Sequence, residues 1–256
     1  MKYLVILDSG HAEYVEGKQA PDKSLREWTF NNEMQYKLKK ALEEQGISVF
    51  LTNPNPQKSN EMGLTRRTDL ANSYWKNNSK PNALFISIHA NAYGSEFNAA
   101  RGTETYVADN ASSNSKKAAK YVNDEIVKTM KSIDPNAKDR GVKTSNFTVI
   151  YKSTMPSILV EYGFYTNKDD LKILKNEKDK LVKATVIAVC KYFGIDYKSK
   201  VDNKPSIIKP SISVDDNSNL YYRVVAGSYK DKSNAQNLVS ELKNKGYSAF
   251  IVTYKK

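Results

Sequence analysis

Apolar residues fall into two rhythms that alternate along the chain. Short continuous runs at Tyr3 to Leu7, Ser48 to Thr52, Leu84 to Ile88, Thr103 to Val107, Phe147 to Ile150 and Ser157 to Val160 read as strands, several of them apolar enough to be covered on both faces. Between them the period becomes helical. From Ser24 to Glu44, the residues Phe30, Met34, Leu38 and Leu42 recur at every fourth position, and Gly46 follows as a stop. Leu64 to Trp75 predicts a shorter helix, and Ala119, Val122, Ile126, Met130 and Ile133 mark an amphipathic one. Leu181 to Phe193 predicts a last helix, ended by Gly194. Strands alternating with helices predict an α/β fold, a mainly parallel sheet flanked by helices.

This texture holds over residues 1–195 and then changes. Tyr197 to Asn219 has two prolines, many polar residues and no period, so residues 196–219 read as a linker. Residues 220–256 read as a small C-terminal βαβ unit. LYYRVVAG is its first strand and SAFIVTY its second; between them runs a helix from Ser233 to Lys245, with Ser233 and Gln236 at capping-box spacing and Gly246 as the stop. The unit is basic, with seven Lys or Arg against two acids, and a single βαβ of this size is marginal by itself.

The charge balance narrows the partners. A net charge of +12 over 256 residues draws the chain to polyanions. The lysines are spread out rather than blocked, which argues against a nucleic-acid arm and leaves anionic bacterial wall polymers as the expected partner. The single cysteine, Cys190, lies in the apolar run TVIAVCKYF and reads as a core residue, so neither an internal disulfide nor a thiolate zinc cluster is available. The apolar run at Tyr3 to Leu7 is too short for a signal core, and no run approaches the roughly 20 residues of a membrane span. The expectation is a chain made in the cytoplasm without a signal peptide, with no membrane span, acting at the wall after release.

The candidate chemistry begins with histidine, of which the chain has two. His11 follows the first strand and His89 follows the third, both at the carboxyl ends where open α/β sheets place their crevices. Imidazole is the commonest metal ligand, and zinc its usual ion; a catalytic zinc takes three protein ligands. With no suitable thiolate the third must be a carboxylate. Glu27, near the start of the first long helix, is the candidate, with Glu13, Glu16 and Asp22 as competitors; Ser24 and Glu27 also have capping-box spacing, which gives Glu27 a purely structural alternative. In PSILVEYGF another strand ends in Glu161, a carboxylate that an apolar crevice would equip to shuttle protons. A zinc water with a carboxylate beside it makes a hydrolase.

Asp8-Ser9-Gly10-His11, Glu27 with Asn31, Leu64 through Arg67 to Ala71-Asn72, Ser87-Ile88-His89-Ala90-Asn91, Arg140-Gly141-Val142 and Pro156 through Glu161-Tyr162-Gly163-Phe164 with Asn167 form an ordered set. The set resembles the zinc-dependent N-acetylmuramoyl-L-alanine amidases of the type 3 family. The resemblance implies Zn2+ held by His11, Glu27 and His89, Glu161 as proton shuttle, and as substrate the amide between N-acetylmuramic acid and L-alanine in peptidoglycan, in an endolysin-like or autolysin-like enzyme. Asn91 and Arg67 are secondary candidates for substrate binding, with loop capping and a structural ion pair as their alternatives. The C-terminal unit resembles half of a SPOR repeat through Tyr222 to Tyr229, Ala235, Leu238, Leu242 and Gly246-Tyr247. Whole SPOR domains bind peptidoglycan glycans; a half implies completion by a second copy, a homodimer through this unit. The rival readings are a zinc peptidase or deacetylase of the wall, a non-enzymatic wall-binding scaffold and, on charge alone, a nucleic-acid binder.

Overall fold

The computed structural model describes residues 2–57, 60–79, 81–199, 229, 231–244 and 249–253. Residues 1–200 and 201–256 form two separate units. In the first, the strands are β1 (Tyr3–Ser9), β2 (Ser48–Leu51), β3 (Asn82–Asn91), β4 (Thr103–Val107), β5 (Asp139–Thr144) and β6 (Ser157–Phe164). The helices are α1 (Glu27–Glu44), α2 (Leu64–Asn77), α3 (Ser113–Ile133), α4 (Thr148–Tyr151), α5 (Lys168–Asn176) and α6 (Lys178–Phe193). The strands form one sheet in the order β2-β1-β3-β6-β4-β5. It is mainly parallel, as expected: β4 runs against β6 and carries β5 parallel to itself, while the other pairings are parallel.

Alternation along each strand sorts the side chains into two layers. Val5 and Leu7, then Leu84, Ile86 and Ile88, then Ile158, Val160 and Tyr162 face the larger core, which α1, α3 and α6 cover with Phe30, Met34, Leu38, Val122, Ile126, Leu181 and Val189. Leu4 and Ile6, then Ala83 and Phe85, then Leu159 face a smaller core closed by Ala71 of α2 and by Val149 and Ile150 of α4. On this second face the apolar positions give way toward the carboxyl ends of β1, β3 and β6 to Asp8, Ser87, His89 and Glu161. A polar row therefore begins where the smaller core stops.

Several expectations are corrected. Phe147 to Ile150 is not a strand: Thr148–Tyr151 is a turn of helix whose Val149 and Ile150 are buried. A buried apolar run of four residues has no period that separates the two states. β5 went unforeseen because DRGVKT is an edge strand, exposed along most of its length and without apolar alternation. The short helix α5 was also missed. In the second unit α7 (Lys232–Asn244) stands one residue from the expected start. Asp231 accepts hydrogen bonds from the Ser233 amide (2.8 Å) and hydroxyl (2.7 Å), so the carboxylate, not Ser233, caps the helix. Residues 249–253 of SAFIVTY are described outside any strand, and Phe250 is 80% exposed. Residues 200–228, with most of the expected linker and the LYYRVVAG strand, and Gly246 lie outside the described residues.

Candidate metal centre

β1 ends at Ser9, and the chain then makes a turn that only a few residue types tolerate. His11 has φ of +62°, in the left-handed region that non-glycine residues seldom occupy. Strain of that kind persists where the surroundings fix it, and here they do. Asn53 donates to the carbonyls of Ser9 (3.0 Å) and His11 (3.2 Å), Asn31 to that of Gly10 (3.0 Å), and Arg67 Nη1 to that of Ser9 (3.1 Å). Gly10 itself lies against the imidazole of His89: a Cβ there would sit 2.2 Å from Cε1 and 2.5 Å from Nε2. The glycine is the space that the ring occupies.

His89 arrives on β3 in direct register with Glu161 of β6, and Glu161 is in register with Glu104 of β4. Register partners share a face, so His89, Glu161 and Glu104 form a row across three adjacent strands. Glu161 is not an exposed strand-end acid, because β6 continues to Phe164 and is paired on both sides. Its Oε2 is buried and has no hydrogen-bond partner among the described residues. Burial, with the charges of Glu27 and Glu104 added, pushes its pKa well above the ordinary carboxylate range; Lys18 offsets this only in part.

Glu27 comes from the other side of the crevice as the first residue of α1. Its carboxylate does not turn back to Ser24, whose amide instead donates to Asp22; the capping-box alternative fails. Glu27 Oε1 lies 3.0 Å from His89 Nδ1 and accepts from the Ala90 amide (3.2 Å), and Oε2 lies 3.4 Å from His11 Nε2. Burial works to raise its pKa, but the hydrogen bond from His89, the charges of both histidines and the Ala90 N–H outweigh it and leave the group below the ordinary range. The structure thus brings His11, Glu27 and His89 together, with one donor atom from each within 4.8 Å of the others. Donors about 2.0–2.1 Å from a shared tetrahedral ion stand roughly 3.3 Å apart. The spacing and the donor set of two imidazoles and one ionised carboxylate fit zinc. Glu13, Glu16 and Asp22 are not in the cluster.

The two secondary candidates have structural duties. Asn91 Nδ2 donates to Glu104 (2.6 Å), a 2%-exposed carboxylate that also receives Tyr106 (2.8 Å), Arg140 and Lys143. Arg67 is 1% exposed and spends its donors on Met62 O (3.1 Å), Ser9 O and Glu61 (3.1 Å), 3.6 Å from Asp8. Sequence reasoning missed Glu61, 3.2 Å from His11 Nδ1, and Asn53, because both lie on loops without a period. Asn31 was visible as the residue one helical turn after Glu27.

A family model described as N-acetylmuramoyl-L-alanine amidase matches residues 5–191, and one described as SPOR domain matches residues 196–253. The chain is 25% identical over 248 residues to the N-acetylmuramoyl-L-alanine amidase CwlM of Bacillus licheniformis, covering 97% of this chain and 84% of that protein. It is likewise 25% identical over 250 residues to a sporulation-specific N-acetylmuramoyl-L-alanine amidase of Bacillus subtilis strain 168, with the same coverage. Among solved structures, the N-acetylmuramoyl-L-alanine amidase of Clostridium difficile 630 superposes with a TM-score of 0.65 at 31% identity, over 75% of this chain and 97% of that one.

Proposed function

This chain belongs to the N-acetylmuramoyl-L-alanine amidase family, and we propose that it cleaves the amide between N-acetylmuramic acid and L-alanine with a zinc ion held by His11, Glu27 and His89 and with Glu161 as the proton carrier. The observation that carries this reading is the convergence of three zinc-type donors within 4.8 Å, with Glu161 in register beside His89. Zinc held by these three side chains would supply Lewis acidity, making water a better nucleophile near neutral pH and polarising the scissile carbonyl.

The chain's own residues supply the rest. Glu161 Oε2 has no hydrogen-bond donor among the described residues and is the group that takes the proton of the attacking water. The protonated Glu161 then donates to the departing nitrogen, which cannot leave as an amide anion. The Asn31, Asn53 and Arg67 clamps keep His11 in its strained turn without reorganisation during turnover. The basic C-terminal unit, within the SPOR match, is proposed to hold the enzyme on peptidoglycan. Action at the wall after release from the cytoplasm, and pairing of two chains through this unit, belong to the same proposal.

The test is chemical. Purified peptidoglycan is digested with the full-length protein, with and without a chelator, and new N-terminal L-alanine is counted against new reducing ends. Chelator-sensitive L-alanine amines without new reducing ends are the expected result. A folded, zinc-loaded protein that releases none would overturn the choice of bond, and a wall peptidase or deacetylase would replace it.

A further inference from the structure

A carboxylate outside the ligand set stands behind His11. Glu61 Oε1 lies 3.2 Å from His11 Nδ1, while Nε2 of the same ring faces Glu27. Glu61 is not among the residues whose donors lie within 4.8 Å of one another, so it is not a fourth member of that group. An imidazole that offers Nε2 to a cation carries its proton on Nδ1, and a buried N–H needs an acceptor. Nδ1 of His11 is buried and makes no regular hydrogen bond among the described residues, and the nearby acceptor is the Glu61 oxygen at 3.2 Å.

Glu61 is braced from behind. Arg67 Nη2 donates to the same oxygen at 3.1 Å, and Arg67 is itself fixed by the Met62 and Ser9 carbonyls and by Asp8, 3.6 Å away. Asp8 is fully buried on β1 and receives Thr52 (2.6 Å) and Ser87 (2.9 Å). Asp8, Arg67, Glu61 and His11 make a ladder of groups that starts in the sheet and ends on the far nitrogen of a candidate ligand. A lone surface ion pair would do little, but Arg67 has already lost its freedom to the main-chain contacts.

We propose that Glu61, braced by Arg67, is the positioning residue of His11: it accepts the Nδ1 proton, fixes the tautomer and so presents Nε2 to the cation. This rests on the zinc reading above. The test uses full-length wild type, Glu61→Gln and Glu61→Ala, with zinc affinity read by competition against a chromophoric chelator. Alanine removes charge and acceptor together and is expected to weaken zinc about 10–100-fold. Glutamine keeps an acceptor oxygen and is expected to lose less. In either variant Arg67 keeps the Met62 and Ser9 carbonyls and Asp8 as partners, and the metal-free melting temperature is measured alongside, so that a loss of zinc affinity larger than the loss of stability is what supports the assignment.

The tautomer gives a readout that a structural role would not move. With two histidines in the chain, ring nitrogen-15 NMR of the zinc-loaded protein resolves both. A slowly exchanging His11 Nδ1–H is expected in wild type and a fast-exchanging one in Glu61→Ala. An alanine variant with wild-type zinc affinity and an unchanged Nδ1–H signal overturns the assignment. Wild-type protein that takes up no zinc overturns the metal reading beneath it instead, which keeps the two failures apart.

Discussion

At the scale of single residues, the site is made by atoms that lack something. Glu161 Oε2 lacks a hydrogen-bond partner among the described residues, and Glu161→Gln is expected to keep zinc, as elemental analysis would read it, while turnover falls by about 10²–10⁴. A variant of full activity would remove Glu161 from the mechanism. The same change has a stability signature. The folded pKa of Glu161 lies above its unfolded value, so the stability present below the ordinary carboxylate range is lost as pH rises through the raised pKa. Glu161→Gln abolishes that loss. In metal-free protein it is expected to melt higher than wild type at about pH 8, with the gap closing by about pH 4. Gly10 lacks a side chain, and Gly10→Ala drives a methyl group into the rigid imidazole of His89. Loss of zinc uptake is the expected result. Wild-type zinc content in a folded Gly10→Ala protein would show that the ring has somewhere else to go.

At the scale of elements, the sequence announced helices and strands more reliably than it announced what their ends do. Ser24 stands at capping-box spacing from Glu27, yet α1 begins at Glu27 with no side-chain cap, because the carboxylate is drawn to His89 and the Ala90 amide. Asn167, by contrast, caps α5 by accepting from the Asp169 and Asp170 amides. Ser24→Ala is therefore expected to change stability by less than about 0.5 kcal/mol, and Asn167→Ala to cost about 1–2 kcal/mol, both read by urea unfolding. Equal effects would show that the cap assignment is wrong. The strands carry a related lesson. β3 and β6 run past their apolar cores to Asn91 and Phe164, so His89 and Glu161 sit inside paired segments rather than at loose tips. The pairing of β3 with β6 holds its register up to His89 and Glu161 and shifts only after them, between His89 and Asn91, so the row from His89 to Glu104 lies within paired strands.

At the scale of the molecule, a chain of net charge +12 meets an anionic, insoluble substrate. Rising ionic strength is expected to slow digestion of intact walls and to leave hydrolysis of a small soluble muramoyl peptide nearly unchanged, since screening weakens long-range attraction and not a pre-formed site. Equal salt sensitivity on both substrates would place the effect in the catalytic unit. The sequence by itself determined the alternation of strands and helices, the mainly parallel sheet and the positions of His11, His89 and Glu161, because strand runs and their carboxyl ends are local signals. Spacing alone left Glu27 among four acids of one segment, and the family resemblance singled it out; the tertiary structure adds that Glu27 stands beside His11 and His89 and that Arg67 and Asn91 are held by neighbouring acids. The strand order brings β1, β3 and β6 side by side, and α1 delivers Glu27 to the same point. Contacts such as Glu61 with His11, or Gly10 with His89, join residues 50 to 79 positions apart in sequence. No local period encodes such a meeting; the packing of the whole sheet does.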